Sequence, residues 1–223
     1  MRRIAYLLLF SCLFLLQSCF EIIETVFLKN DGSGNFQLVV NLSKSKTKLN
    51  SIIKMQTING HDVPSKGDIK YRITEIEKAV AKTPGLSAVK TSVDFDNYIA
   101  TISCNFNKVS QLNAAVKNVY DKENGKLKGV EKTYDYDAAS NTFSRINKFS
   151  IQDDYKKLSN ADKEVFATAN YTSIYKFEAT VAAASNKGTQ ISPSKKATML
   201  KQNALDIITE KKSVENKITL TNK

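Results

Sequence analysis

The chain has 223 residues and a formal net charge of +11, with 33 Lys and Arg against 22 Asp and Glu. One histidine leaves a Ser-His-Asp device a single possible base, and three cysteines are too few for a disulfide framework. The length suits one large domain or two small ones with a proper buried core.

Met1-Arg2-Arg3 precedes an apolar run from Ile4 that ends in Leu16-Gln17-Ser18-Cys19. Two cations, a short apolar stretch and the small Ser18 read as a secretory signal over residues 1–18. A spanning helix needs roughly 20 apolar residues, and this run is shorter. The order Leu16, Gln17, Ser18, Cys19 resembles the lipobox of bacterial lipoproteins. The resemblance implies that Leu16, Gln17 and Ser18 are read by a signal peptidase and that Cys19 is lipidated and becomes the new N-terminus. Diacylglycerol on its sulfur and an acyl chain on its nitrogen would hold the protein stably at a membrane. The location implied is the bacterial cell envelope, lipid-anchored, at the outer membrane.

No Ser- or Gly-rich tether follows Cys19. Glu21-Ile22-Ile23-Glu24-Thr25-Val26-Phe27-Leu28 reads as a strand, Asn30 to Asn35 as a turn, and Phe36 to Leu42 as a returning strand. Asp31-Gly32-Ser33-Gly34 is similar to the centre of a calcium loop, but the ligand positions at 27, 29 and 38 hold Phe27, Lys29 and Leu38. The hairpin turn is the better reading. In sequence, the cysteine followed at once by strand, turn and strand resembles small uncharacterised bacterial lipoproteins, from which no activity carries over.

Ser43 is placed to cap a helix carrying Leu49, Ile52 and Ile53. Ser65-Lys66-Gly67-Asp68 has the form of a capping box, and Ile69, Ile73, Ile76 and Val80 follow at helical spacing until Thr83-Pro84-Gly85. Strands over 89–95 and 98–106 flank a turn at Asp96-Asn97. Ser110 is placed to cap a helix with Leu112, Val116 and Val119, and a strand is expected around Val130 to Tyr136.

From Phe36 to Tyr136 this order is that of a split βαβ, ferredoxin-like core in an antiparallel sheet, within an α+β fold. The stretch from Ile73 through Pro84-Gly85 to Val89 resembles the helix, stop and strand of small metallochaperone domains. Those bind soft metal through a Cys-x-x-Cys before the first helix, and residues 43–65 contain no cysteine. Met55 and His61 are the only soft or imidazole donors there, so no metal or cofactor is expected. The organisation expected is a signal over 1–18, an α+β core over 19–137, and additional flanking strands and short helices over 138–223. These last include a hairpin across Ala138–Asn141, a helix capped near Ser159, a strand over 173–181 and a terminal strand over 217–220.

No residues are expected to be catalytic. Asp94/Asp96, Asp135/Asp137 and Asp153/Asp154 pair carboxylates, but each pair lies at or near an expected turn, where Asp bonds locally to backbone. Cys104 sits in an alternating strand and reads as core rather than nucleophile. Lys44, Lys46 and Lys48, with Lys126, Lys128 and Lys132, form a candidate basic surface for anionic headgroups or glycans. Tyr134 and Tyr136 are too few for a nucleic-acid platform, and nucleic acid is not an expected partner. The function expected is a non-catalytic interaction or assembly factor docking an envelope protein. The alternative is a binding module for an amphiphile, lipid or anionic glycan, which would need a deep apolar pocket lined from 89–106 and 171–181.

Overall fold

The computed structural model describes residues 20–123, 132–147 and 150–221. Leu16, Gln17, Ser18, Cys19, Lys126 and Lys128 lie outside the described residues. The fold is α+β, built on a seven-stranded sheet and a four-stranded sheet.

The first hairpin forms as its sequence directs. β1 (Glu21–Leu28) and β2 (Gly34–Asn41) pair antiparallel. Asp31 accepts hydrogen bonds from the amide and hydroxyl of Ser33 at 2.9 and 2.7 Å, closing the turn. The crossover from β2 contains a 3-10 turn (Ser43–Ser45), α1 (Lys46–Ile52) and a small hairpin of β3 (Thr57–Ile58) and β4 (His61–Asp62). Ser43 does not cap α1. Its amide is held by the Asn41 carboxamide at 3.0 Å, within the 3-10 turn.

α2 (Lys66–Ala81) begins with the expected capping box, in which Ser65 and Asp68 bond reciprocally. It stops before Gly85, whose φ of +84° suits glycine and whose absent Cβ leaves room for the Gln111 side chain. β5 (Leu86–Asp94) and β6 (Ile99–Phe106) pair antiparallel. α3 (Ser110–Glu123) follows, with Ser110 inside the helix rather than capping it. The amides of Asn107 and Lys108, ahead of the helix, bond to Gln111 Oε1.

β7 (Tyr134–Asp137), β8 (Thr142–Arg145), α4 (Gln152–Lys157), α5 (Asn160–Ala167), β9 (Asn170–Phe177) and β10 (Thr180–Ala184) come next. β11 (Gln190–Ile191), β12 (Ala197–Asn203), α6 (Ala204–Ile208) and β13 (Asn216–Thr221) complete the chain. The larger sheet runs β11-β12-β9-β1-β2-β6-β5 and the smaller β10-β13-β8-β7.

β6 lies between β2 and β5 and pairs antiparallel with both, as a split βαβ requires. The fourth strand of a ferredoxin-like sheet does not follow. The edge of β2 that it would join is already occupied by β1, and β7 pairs with β8 in the smaller sheet instead. Nor is the larger sheet wholly antiparallel, because β1 and β9 run parallel.

Inward positions decide the layers. Val26 and Leu28 of β1 and Tyr175 and Phe177 of β9 are buried in one cluster with Phe143 of β8 and Ile218 of β13. Phe143 packs edge-on against Tyr175 and Phe177, with ring centroids 5.0 and 5.8 Å apart. The smaller sheet thus closes the β1–β9 half of the larger one. α2 packs against β5 and α3, and α3 reaches β7.

Candidate functional site

Between α2, α3 and the inner face of β2, β5 and β6 lies an apolar chamber of about 340 Å³. Register builds its floor: Phe36 faces Cys104, Leu38 faces Ile102, and Val40 faces Ala100. α2 contributes Ile73, Ile76 and Val80, spaced three to four residues apart on one helical stripe. α3 contributes Leu112, Ala115, Val116, Val119 and Tyr120, and Tyr134 closes the side toward the smaller sheet. Ala100 and Ala115 are the smallest of these side chains, and small groups in the walls leave space that larger ones would fill.

Chemistry in the chamber is confined to its margins. The hydroxyl of Thr91 donates to Glu77 and is satisfied there. Burial pushes the Cys104 thiol up to about 11, so it stays protonated at neutral pH and is no nucleophile. Ligand pockets commonly occupy about 300–1,000 Å³, and the lining of this one is almost wholly apolar.

The other half of the interior holds a polar network that sequence reasoning missed. Glu24, 3% exposed, accepts hydrogen bonds from the hydroxyls of Tyr171 and Tyr175, each at 2.6 Å. Arg145 Nε lies 3.4 Å from Glu24 Oε1, and its guanidinium stands 5.2 Å from the centre of the Tyr134 ring. Desolvation raises the phenols of Tyr134, Tyr171 and Tyr175 above their ordinary range, and the charge of Glu24 adds to it. One signal was legible: Glu24 shares the strand parity of Val26 and Leu28.

Beside this network opens a cleft of about 540 Å³ with mixed walls, including Phe20, Ile22, Arg145, Ile208 and Lys212. Its cations are matched, Arg145 by Glu24 and Lys212 by Asp206 at 3.1 Å. It is larger than the apolar chamber but offers an anion no uncompensated charge.

The expected basic surface is split. Lys44, Lys46 and Lys48 are exposed along the crossover after β2. Lys132 precedes β7 and pairs with Asp135 at 2.9 Å. The paired carboxylates serve turns and helix surfaces. Asp94 Oδ1 accepts from the amides of Asp96 and Asn97, Asp137 from that of Ala139, and Asp153 and Asp154 pair with Lys156 and Lys157. His61 is exposed and lies 3.5 Å from Asp162. Among the described residues no group of three or more His, Cys, Asp or Glu side chains is placed to hold a metal ion. No helix among them is long and apolar enough to cross a membrane.

Comparison with protein-family models and with curated proteins finds no match. Among solved structures, the chain is similar to the folded domain of LppM from Mycobacterium tuberculosis, determined by NMR. Identity is 12% and the TM-score 0.41, over 92% of this chain and 89% of that one. A likeness of that degree carries no functional inference.

Proposed function

We propose that the chain is a lipid-anchored, non-catalytic protein of the bacterial envelope that binds the acyl part of an amphiphile in the chamber under α2 and α3. The observation that carries this reading is an apolar hollow of about 340 Å³ where a domain of this size would ordinarily be filled. Each buried methylene contributes about 0.8 kcal/mol, so ten give about 8 kcal/mol before the cost of association. A short apolar molecule would be held poorly and a long chain well.

The chamber favours this reading over a pure assembly factor. Docking another protein calls for a flat apolar outer patch. The outer face of the larger sheet mixes Thr25, Gln37, Ser103, Asn35 and Asn105 with Ile23, Phe27, Val39, Ile174 and the exposed Met199, so it is the chamber, not the polarity of that face, that separates the two readings. The chamber is lined from β2, β5 and β6 rather than from β9, so the ligand lies on the opposite side of β1 from the polar network.

The chain has no tryptophan, so Phe36→Trp places a single reporter in the chamber wall. Nitroxide-labelled fatty acids should quench it saturably, and affinity should rise about fourfold per added methylene until the chamber is full. Quenching that does not saturate, or that ignores chain length, would overturn the reading. The anchor is tested separately: Cys19→Ser should abolish lipid labelling and leave a longer precursor. Normal lipid labelling of that variant would remove the anchor from the proposal.

A further inference from the structure

One end of the larger sheet is the row Asp94, Ile99, Asn41, Glu21, Asn170 and Asn203, adjacent strand by strand. The described chain starts at this end, at Phe20, immediately after Cys19. The chamber has a direction along the same axis. Its lining at the far end, Cys104, Val80, Leu112 and Ala115, is buried. Near the Phe20 end, Val40, Ala100, Ile73, Val119 and Tyr120 are only half-buried. Apart from the half-buried Phe36 opposite Cys104, the lining is thus more open toward the end that carries Phe20, the residue after Cys19.

The rim of that end carries Phe95, with the ammonium groups of Lys66 and Lys70 at 5.4 and 5.8 Å from its ring centre. Lys44 and Lys46 lie within electrostatic reach of Glu21 and Asp94. The rim also carries carboxylates: Asp68 hydrogen-bonded in the cap of α2, Asp94 in its turn, the exposed Asp96 beside it, and Glu21 paired with Lys201 at 3.1 Å. The opposite end also has exposed lysines, Lys29, Lys108 and Lys195 among them, so charge alone does not choose between the ends. The position of Phe20, next to Cys19 in sequence, and the more open end of the chamber do.

We propose that the end bearing Phe20, Phe95 and the chamber mouth faces the bilayer, and that the chamber takes an acyl chain of a phospholipid directly from the membrane holding the protein. Lys44, Lys46, Lys66 and Lys70 then meet headgroup phosphates, each contributing about 1 kcal/mol near an anionic surface. This inference rests on the amphiphile reading and on the anchor at Cys19. A strand of eight residues separates the two ends, which at roughly 3.3 Å per residue is about 26 Å, enough for lipid-borne quenchers to tell them apart.

The test uses the full, lipidated protein in anionic phosphatidylglycerol vesicles, with Cys104→Ala removing the buried thiol. A fluorophore is attached at Lys70→Cys or at Lys29→Cys, and the vesicles contain phospholipid with a headgroup nitroxide. The label at 70 should be quenched several-fold more than the label at 29, and Lys66→Glu should narrow that difference. In a parallel sample carrying Phe36→Trp, vesicle phospholipid with a nitroxide on its acyl chain should quench the tryptophan. Equal quenching at 29 and 70, or stronger quenching at 29, overturns the orientation. If fatty acid still binds saturably in that case, the chamber reading stands and this inference alone fails. Absence of diacylglycerol on Cys19 by mass spectrometry would overturn the orientation together with the anchor.

Discussion

Glu24 occupies an inward position of β1, between Ile22 and Val26, where local pattern calls for an apolar side chain. Two phenols and a guanidinium make the position tolerable, since a buried carboxylate must be hydrogen-bonded and paired. The phenols come from β9 and the guanidinium from β8, so neither partner is within reach of a local reading. Removing one member should therefore cost far more than replacing the set. Arg145→Met is expected to destabilise by about 3–5 kcal/mol, and adding Glu24→Leu should recover part of that loss. Urea unfolding midpoints measure both, and a double variant no more stable than Arg145→Met would show that the network is not a unit. Cys104 was legible for the opposite reason. Its alternation with Ser103 and Asn105 settles its face within one strand, and burial alone explains its protonated state.

Elements whose signals are local formed where the residues placed them. The capping box at Ser65 involves four consecutive residues, with Ser65 Oγ donating to Asp68 Oδ2 at 2.7 Å and accepting from the Asp68 amide at 3.1 Å. Ser65→Ala should cost about 1 kcal/mol at neutral pH, by thermal or chemical unfolding. The Ser65 hydroxyl and amide hold the Asp68 carboxyl below its ordinary value. A carboxyl lowered on folding stabilises fully above its unfolded value, roughly 3.9, and loses that contribution as pH falls through the folded one. The penalty for Ser65→Ala should therefore shrink below about pH 4, and a penalty that grew on acidification would contradict the box. Ser43 and Ser110 have equal capping chemistry, yet one helix begins at Lys46 behind Ser45 and the other at Ser110 itself, so neither hydroxyl stands at an N-cap. The strand at Tyr134 was legible as a strand but not in its pairing. That choice depended on β1 already lying beside β2, a contact set by the other end of the chain.

At the scale of the whole molecule, the seven-stranded sheet is divided between two kinds of cover. The smaller sheet fills its half with aromatic rings, whereas two helices span theirs and leave it hollow. Periodicity identified Ile73, Ile76, Val80, Leu112, Val116 and Val119 as inward-facing, but an inward face does not say whether space remains between it and its neighbour. That depends on which side chains from α2, α3 and the sheet meet over the same space, Ala115 and Ala100 among them, which only tertiary structure reveals. A hollow kept for a ligand is stability left unrealised, so filling it should separate folding from binding. Ala115→Leu adds apolar volume from α3 into the chamber and should stabilise the ligand-free protein by about 1–2 kcal/mol while abolishing saturable fatty-acid binding. The unmodified chain should gain about 2.7 kcal/mol from a fatty acid at a hundred times its Kd, and Ala115→Leu should gain none. Thermal unfolding with and without fatty acid reads both effects at once. A variant that is less stable and still gains from the ligand would place the binding site somewhere other than under α2 and α3.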